Sequence, residues 1–469
     1  MSFNMPKHFS DLKGKRIGII GLGETGSALA RKLLSWGAEV IAVDAKPLEQ
    51  LKRRDEVEKL SRDGLKVIAG KDEAEELYDC DMVVISPGVR PDKPFILSLR
   101  RNGVTVTGEV ELAYALCRAR IIAITGTNGK TTTTTLAHHI LSHCKMNAFL
   151  VGNIGEPAIS VVDLADENSW LVMEVSSFQL MTCENFRPNI GVITNIAEDH
   201  LNWHESMEEY LSAKAKLIEK QRSEDFSVLN IDDGGVKKVL DVGGGTRVFF
   251  GFNNMTAHVA PDGEEVIARI PHLGLDKVSL FNLSDLKLPG KHNLLNAMAA
   301  STAALLAGAP ADCIREAVSS FKGVPHRLEL VGEFNGVRFI NDSAATTPHA
   351  TLHALLSVNS PVIWIGGGLS KNLNFGLLVD ALKEKVKAAV LIGYSKGELS
   401  SILKALNVPF EVAETLREAV RSAMRTAKRG DTVLFSPACA SFDMFEDYKQ
   451  RGEQFKAIVM ELVCGGELQ

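Results

Sequence analysis

Residues 121–135 read IIAITGTNGKTTTTT, and the fold turns on this stretch. Ile121 to Thr125 is a β-branched run of the kind that a buried parallel strand requires. It breaks into Gly126-Thr127-Asn128-Gly129, continues through Lys130-Thr131, and enters a helix-compatible segment, Leu136 to Leu141. A strand, a tight loop, Lys-Thr and a helix make a polyphosphate cradle. Backbone N–H groups line the loop, the helix N-terminus carries partial positive charge, Lys130 adds a full charge, and the Thr131 hydroxyl can ligate Mg²⁺. The common phosphate-loop pattern has a glycine where this chain has Ile124, so TGTNGKT is a variant. An ordinary strand–turn–helix with an incidental lysine is the alternative.

Upstream, Arg16–Ile20 reads as a strand and Gly21-Leu22-Gly23-Glu24-Thr25-Gly26 as a glycine-rich turn into a helix from Ser27 to Trp36. A second strand, Glu39–Val43, ends at Asp44. GxGxxG between strand and helix, with an acidic residue about 20 positions on, is the dinucleotide fingerprint; a simple packing loop is its alternative. Asp81–Ile85 is a further strand, and its loop, Ser86-Pro87-Gly88, falls at the same carboxyl edge of a parallel sheet.

Downstream, Val151–Gly155 flanks Asn153 with glycines. Trp170–Glu174 is a strand with a terminal carboxylate, placed to serve a metal ion beside the phosphate loop. Ile190–Asn195 precedes Glu198-Asp199-His200. The helix Glu208–Lys220 sets Tyr210 and Lys214 four residues apart, and its lysines read as solvated surface. Residues 241–285 read as a small antiparallel excursion, and Asn296 lies near the start of an Ala/Leu helix. Past a linker at 323–327, strands at 337–340, 362–365, 388–392, 410–412 and 432–435 form a third α/β unit.

The chain of 469 residues leads one to expect roughly three domains. The expected class is α/β with three domains: a Rossmann-like first domain (1–117), a central parallel-sheet mononucleotide-binding domain (118–326) and a Rossmann-like third domain (327–469). A net charge of −6 without a basic cluster argues against a nucleic-acid partner. No apolar run reaches the ~18 residues of a membrane span, and the N-terminus lacks the apolar core of a signal peptide. Seven scattered cysteines without a CxxC suggest reduced, buried thiols in a cytoplasmic protein, with neither disulfides nor a zinc site.

Taken together, TGTNGKTTTT, MEVSSFQL, AEDHLNWH with Ala213-Lys214, LPGKHNLLNA and PHRLE resemble the Mur ligase family of peptidoglycan precursor synthesis. The resemblance spans essentially the whole chain. SPACASFDMFEDYKQRGEQF (Ser436–Phe455), NDSAATTPHAT, GLGETG and VVISPGV resemble the branch that adds D-glutamate. The resemblance implies ATP- and Mg²⁺-dependent amide formation between UDP-N-acetylmuramoyl-L-alanine and D-glutamate, through an acyl phosphate; a monomer is expected. It implies that Gly126, Thr127, Asn128, Gly129, Lys130, Thr131, Asn296, Arg327 and Asp342 hold ATP. Lys130, Lys214, His200 and Glu174 are then catalytic, and Thr131, Glu174, His200 and Lys214, the last carbamylated, serve the metal. Gly23, Glu24, Thr25, Asp44, Ser86, Pro87, Gly88 and Asn153 would meet the uridine nucleotide, which replaces the dinucleotide reading of the first loop. Thr346, Lys371, Ser441 and Tyr448 would meet the amino acid.

Three positions depart from the family pattern. Ala344 stands where NDSKAT has lysine, Ser370 stands where an aspartate precedes Lys371, and Trp203 stands where the DHxxRH run has arginine. Other readings are the same chemistry with L-glutamate or another amino acid, or a degenerate nucleotide-binding regulator.

Overall fold

The computed structural model describes residues 5–51, 53–198, 203–253, 255–288, 290–358, 361–370 and 373–464. They form two compact units, residues 1–287 with 291–321, and residues 288–290 with 322–469. The first unit contains two sheets and the second contains one.

The first sheet comprises β1 (Arg16–Ile20), β2 (Glu39–Asp44), β3 (Lys66–Ala69), β4 (Met82–Ile85) and β5 (Thr105–Gly108). All pairings are parallel, in the order β3-β2-β1-β4-β5. The strand order reverses on either side of β1, which opens a crevice at its carboxyl end. The following helix, Glu24–Ser35, begins three residues earlier than expected, so Glu24 and Thr25 lie in its first turn. Gly26 permits this approach, because a Cβ there would sit 1.8 Å from the Gly21 carbonyl oxygen.

The second sheet comprises β6 (Arg120–Thr125), β7 (Ala148–Gly152), β8 (Trp170–Glu174), β9 (Ile190–Ile193), β10 (Phe226–Asn230), β11 (Thr246–Phe250), β12 (Val259–Asp262), β13 (Glu265–Ile270) and β14 (Leu275–Asn282). Its order is β14-β13-β12-β11-β10-β9-β6-β8-β7. Ile121 to Ile124 are at most 2% exposed, so the uninterrupted apolar run reflects burial on both sheet faces. The antiparallel excursion expected at 241–285 is present, and it continues this sheet. β11 pairs in parallel with β10 and β12 in parallel with β11, and the antiparallel pairings are β12–β13 and β13–β14.

The second unit holds β15 (Glu329–Phe334), β16 (Val337–Asn341), β17 (Val362–Gly367), β18 (Val386–Ile392), β19 (Phe410–Val412) and β20 (Thr432–Phe435), in the order β15-β16-β20-β17-β18-β19. β15 forms an unanticipated antiparallel hairpin with β16.

The expectation of unpaired thiols fails at one pair. Cys144, which caps the helix Lys130–His143, is disulfide-bonded to Cys313 of the helix Ala311–Ser320, 169 residues away. Sequence spacing carries no trace of this proximity.

Candidate active site

Strand order places the site residues. β6 lies between β8 and β9, so its carboxyl-terminal loop is flanked by Glu174 on one side and Thr194-Asn195 on the other. Gly129 adopts φ 81° immediately before the helix Lys130–His143, a conformation that L side chains rarely adopt. A Cβ at Gly129 would also meet Asn296 Oδ1 at 2.2 Å, which brings the Ala-rich helix Lys291–Leu306 to the loop.

Residues that sequence reading overlooked fix the loop from outside. Asn128 N–H donates to Asn195 Oδ1 (2.9 Å), and Asn195 Nδ2 returns a bond to the Asn128 carbonyl (2.9 Å). Thr194 Oγ1 donates to the same carbonyl (2.7 Å). Thr127 Oγ1 lies 3.1 Å from the Tyr210 hydroxyl and accepts from Ala197 N–H (3.0 Å). The Thr-Asn pair after a core strand was the available signal for Asn195.

Two cationic side chains converge on this loop. Lys130 Nζ donates to the Gly126 and Thr127 carbonyls, each at 2.8 Å. Lys214 Nζ donates to the same Gly126 carbonyl at 2.8 Å and lies 4.6 Å from the Tyr210 ring centroid. Lys214 and Tyr210 are each 1% exposed, which corrects the reading of that helix as solvated surface. Lys216 also turns inward, donating to the Met181 and Cys183 carbonyls.

Glu174 is 1% exposed at the end of β8. Its Oε1 accepts from Asn153 Nδ2 at 2.8 Å, so Asn153 stands with the second sheet's carboxylate. Its Oε2 has no hydrogen-bond partner among the described residues. A buried carboxylate oxygen left unsatisfied is costly, and a hard divalent cation, which takes oxygen ligands, fits it. His200 lies outside the described residues, as does Lys371.

The Asn153 loop is held in turn by Glu109, a fully buried carboxylate on the helix Glu109–Leu116. Its Oε1 accepts from Ile159 N–H at 2.8 Å, and burial pushes its pKa up to about 7 against the opposing backbone hydrogen bonds. Glu111, one turn away in neither direction but two residues on, accepts from the N–H groups of Glu184, Asn185 and Phe186.

In the first sheet, Gly23, Glu24, Thr25, Asp44, Ser86, Pro87 and Gly88 gather around the end of β1. Both Asp44 oxygens are engaged by backbone, Oδ2 with Leu22 N–H (2.7 Å) and Oδ1 with Lys46 N–H (2.9 Å). Ser86 Oγ donates to the Gly21 carbonyl (3.1 Å), joining the two loops.

In the second unit, β20 lies between β16 and β17, which gathers Asp342, Ser441 and the Gly366–Gly368 turn around one strand end. Asp342 is buried, accepts from Ser436 Oγ (2.7 Å) and Leu328 N–H (3.1 Å), and is pushed up to about 6, chiefly by desolvation. Arg327 is exposed, and its charge lowers that value. Arg451, 1% exposed, ties the loops together by donating to the Ser343 hydroxyl and carbonyl and to the Cys439 carbonyl. Ser343 Oγ donates to the Tyr448 carbonyl (2.8 Å), and Thr346 N–H to the Ala344 carbonyl (3.0 Å).

Comparisons with known proteins agree with this layout. Residues 15–108 match the Mur ligase MurD-like N-terminal domain, 124–304 the Mur ligase middle domain, and 326–439 the Mur ligase glutamate ligase domain. A UDP-N-acetylmuramoylalanine–D-glutamate ligase of Clostridioides difficile (strain 630) is 41% identical over 96% of this chain and 100% of its own length. One from Koribacter versatilis (strain Ellin345) is 39% identical over 96% and 98%. Among solved structures, a UDP-N-acetylmuramate–alanine ligase of Thermotoga maritima shares the fold at TM-score 0.58 and 23% identity, covering 95% of this chain and 99% of its own. A MurF ligase of the same organism, in complex with ADP, aligns at TM-score 0.55 and 15% identity, covering 98% of each.

Proposed function

The chain is a member of the Mur ligase family, and we propose that it joins D-glutamate to UDP-N-acetylmuramoyl-L-alanine at the expense of ATP, in cytoplasmic peptidoglycan precursor synthesis. The observation that carries the chemistry is the convergence of TGTNGKT, two lysines and the buried Glu174 carboxylate at one strand end. The full-length likeness to D-glutamate ligases carries the choice of amine.

The chain divides its work among three segments, 1–117 for the uridine nucleotide, 118–326 for ATP and 327–469 for the amino acid. In the central segment, loop N–H groups and Lys130 hold the phosphates against their mutual repulsion. Thr131, Glu174, His200 and a carbamylated Lys214 would hold Mg²⁺, and the ion would supply positive charge against the phosphates and the substrate carboxylate. Asn153 orients the Glu174 carboxylate through its Oε1. Asp44 shapes the Gly21–Gly23 turn that receives the nucleotide. Ser441, Thr346, Lys371 and Tyr448 orient the amino acid.

Phosphate release tests this reading. Release should require ATP, the muramoyl nucleotide and D-glutamate together. Equal ATP turnover without the muramoyl nucleotide would contradict it.

A further inference from the structure

Arg90 lies two residues past Gly88, in the loop that follows β4 of the first sheet. Its guanidinium is pre-oriented by Asp92, with Nε to Oδ1 at 2.9 Å and Nη2 to Oδ2 at 2.6 Å. A two-point pair of this kind fixes the plane of the group and leaves its other donors aimed outward. They reach the segment that leads into the helix Met207–Glu219. Nη1 donates to the Trp203 carbonyl, and Nη2 lies 3.3 Å from Glu209 Oε1 and 3.7 Å from Glu205 Oε1.

From Glu209 the contacts continue inward. Glu209 Oε2 lies 3.7 Å from His204 Nδ1 and accepts from Glu205 N–H at 2.6 Å. His204 is buried, bonds Ser177 Oγ through Nε2 at 2.9 Å, and packs edge-on against Tyr210 with centroids 5.1 Å apart. Tyr210 touches both Thr127 of the phosphate loop and the Lys214 ammonium. Trp203 packs on Phe178 of the helix that follows β8 (4.9 Å).

We propose that Arg90 is a positioning residue for the ligase reaction: it clamps residues 203–209 from the loop that carries Ser86-Pro87-Gly88, and so sets Tyr210 and Lys214 against the phosphate loop. The inference rests on the ligase reading above and adds a physical link within it. The Arg90 guanidinium reaches that segment from the first sheet's loop. The effect of Arg90 passes through Glu209, His204 and Tyr210.

The test uses the full-length enzyme, ATP, Mg²⁺, the muramoyl nucleotide and D-glutamate. Wild-type turnover first secures the ligase reading, and its absence would defeat that reading before Arg90 is tried. Arg90→Ala should lower kcat about tenfold and raise the Mg²⁺ concentration for half-activity, with KM for the muramoyl nucleotide changed less than about twofold. Glu209→Gln should do the same. The double variant should lose little more than either single one, because both remove one clamp. Arg90→Lys, which keeps the charge but not the two-point geometry, should recover part of kcat at an unchanged melting temperature. Wild-type kcat in Arg90→Ala, fully additive losses in the double variant, or a loss confined to KM for the muramoyl nucleotide would each overturn the proposal, the last by making Arg90 a direct substrate contact.

Discussion

In the second sheet the loop after β6 is flanked by the ends of β8 and β9, and in the third sheet the loop after β20 is flanked by the ends of β16 and β17. The two strand ends use their polar groups differently. Around β6, Lys130 and Lys214 share the Gly126 carbonyl, and one Glu174 oxygen lacks a hydrogen-bond partner among the described residues. Around β20, polar groups bind one another. Asp342 accepts from Ser436 and Leu328, Arg451 bridges Ser343 and Cys439, and Trp364 Nε1 donates to the Ser436 carbonyl (2.8 Å). The first arrangement concentrates charged groups at one strand end. The second builds a firm frame whose recognition depends on the few side chains that project from it.

Substitutions at the second sheet should therefore cost most. Lys130→Ala should lower kcat at least about a hundredfold while circular dichroism stays unchanged, since it removes a full charge from the phosphates. Near wild-type turnover would break the comparison at its stronger end. In the third sheet, Ala344→Lys restores the cation of the family pattern. It should alter KM for the amino acid by less than about tenfold, because the Arg451 frame is already complete; a larger change in kcat would show that the frame was waiting for that charge.

Glu109 sharpens the contrast through pH. Its pKa is raised from 4.5 to about 7, so the folded state keeps this proton to higher pH than the unfolded chain does. Its contribution to stability is therefore greatest at acid pH and is lost as pH rises through about 7. The loss is on the order of 3 kcal/mol. Glu109→Gln should flatten the fall in urea midpoint between pH 5 and 8, to the extent of about that energy. An unchanged profile would remove Glu109 as its source. The smallest effect on activity belongs to Cys144→Ser. It should cost about 2–4 kcal/mol of stability without reductant, nothing with it, and leave turnover in reductant within about twofold. Melting curves in the two conditions check this.

How much was legible follows from local chemistry. The phosphate loop was readable because a β-branched run, a left-handed glycine and Lys-Thr each demand the same geometry. Asp44, Ser86 and Glu174 were readable because parallel sheets bring strand ends together. The burial of Tyr210 and Lys214 was not, since the charges of EEYLSAKAKLIEK give no sign that the Gly126 carbonyl receives Lys214. The family resemblance supplied what periodicity denied. β15 escaped because Gly332 and Glu333 interrupt its pattern and a register shift bends it between Leu330 and Gly332. The Cys144–Cys313 bond and the Glu111 cradle of residues 184–186 depend on long-range contacts that no local window contains.

The proposed activity is the ATP-dependent joining of D-glutamate to the muramoyl nucleotide. The most direct measurement is phosphate release with ATP, Mg²⁺ and the muramoyl nucleotide across a panel of amino acids. D-Glutamate alone should support rapid release, with L-glutamate and other amino acids at least about a hundredfold slower in kcat/KM; equal or faster release with another amino acid would contradict the account.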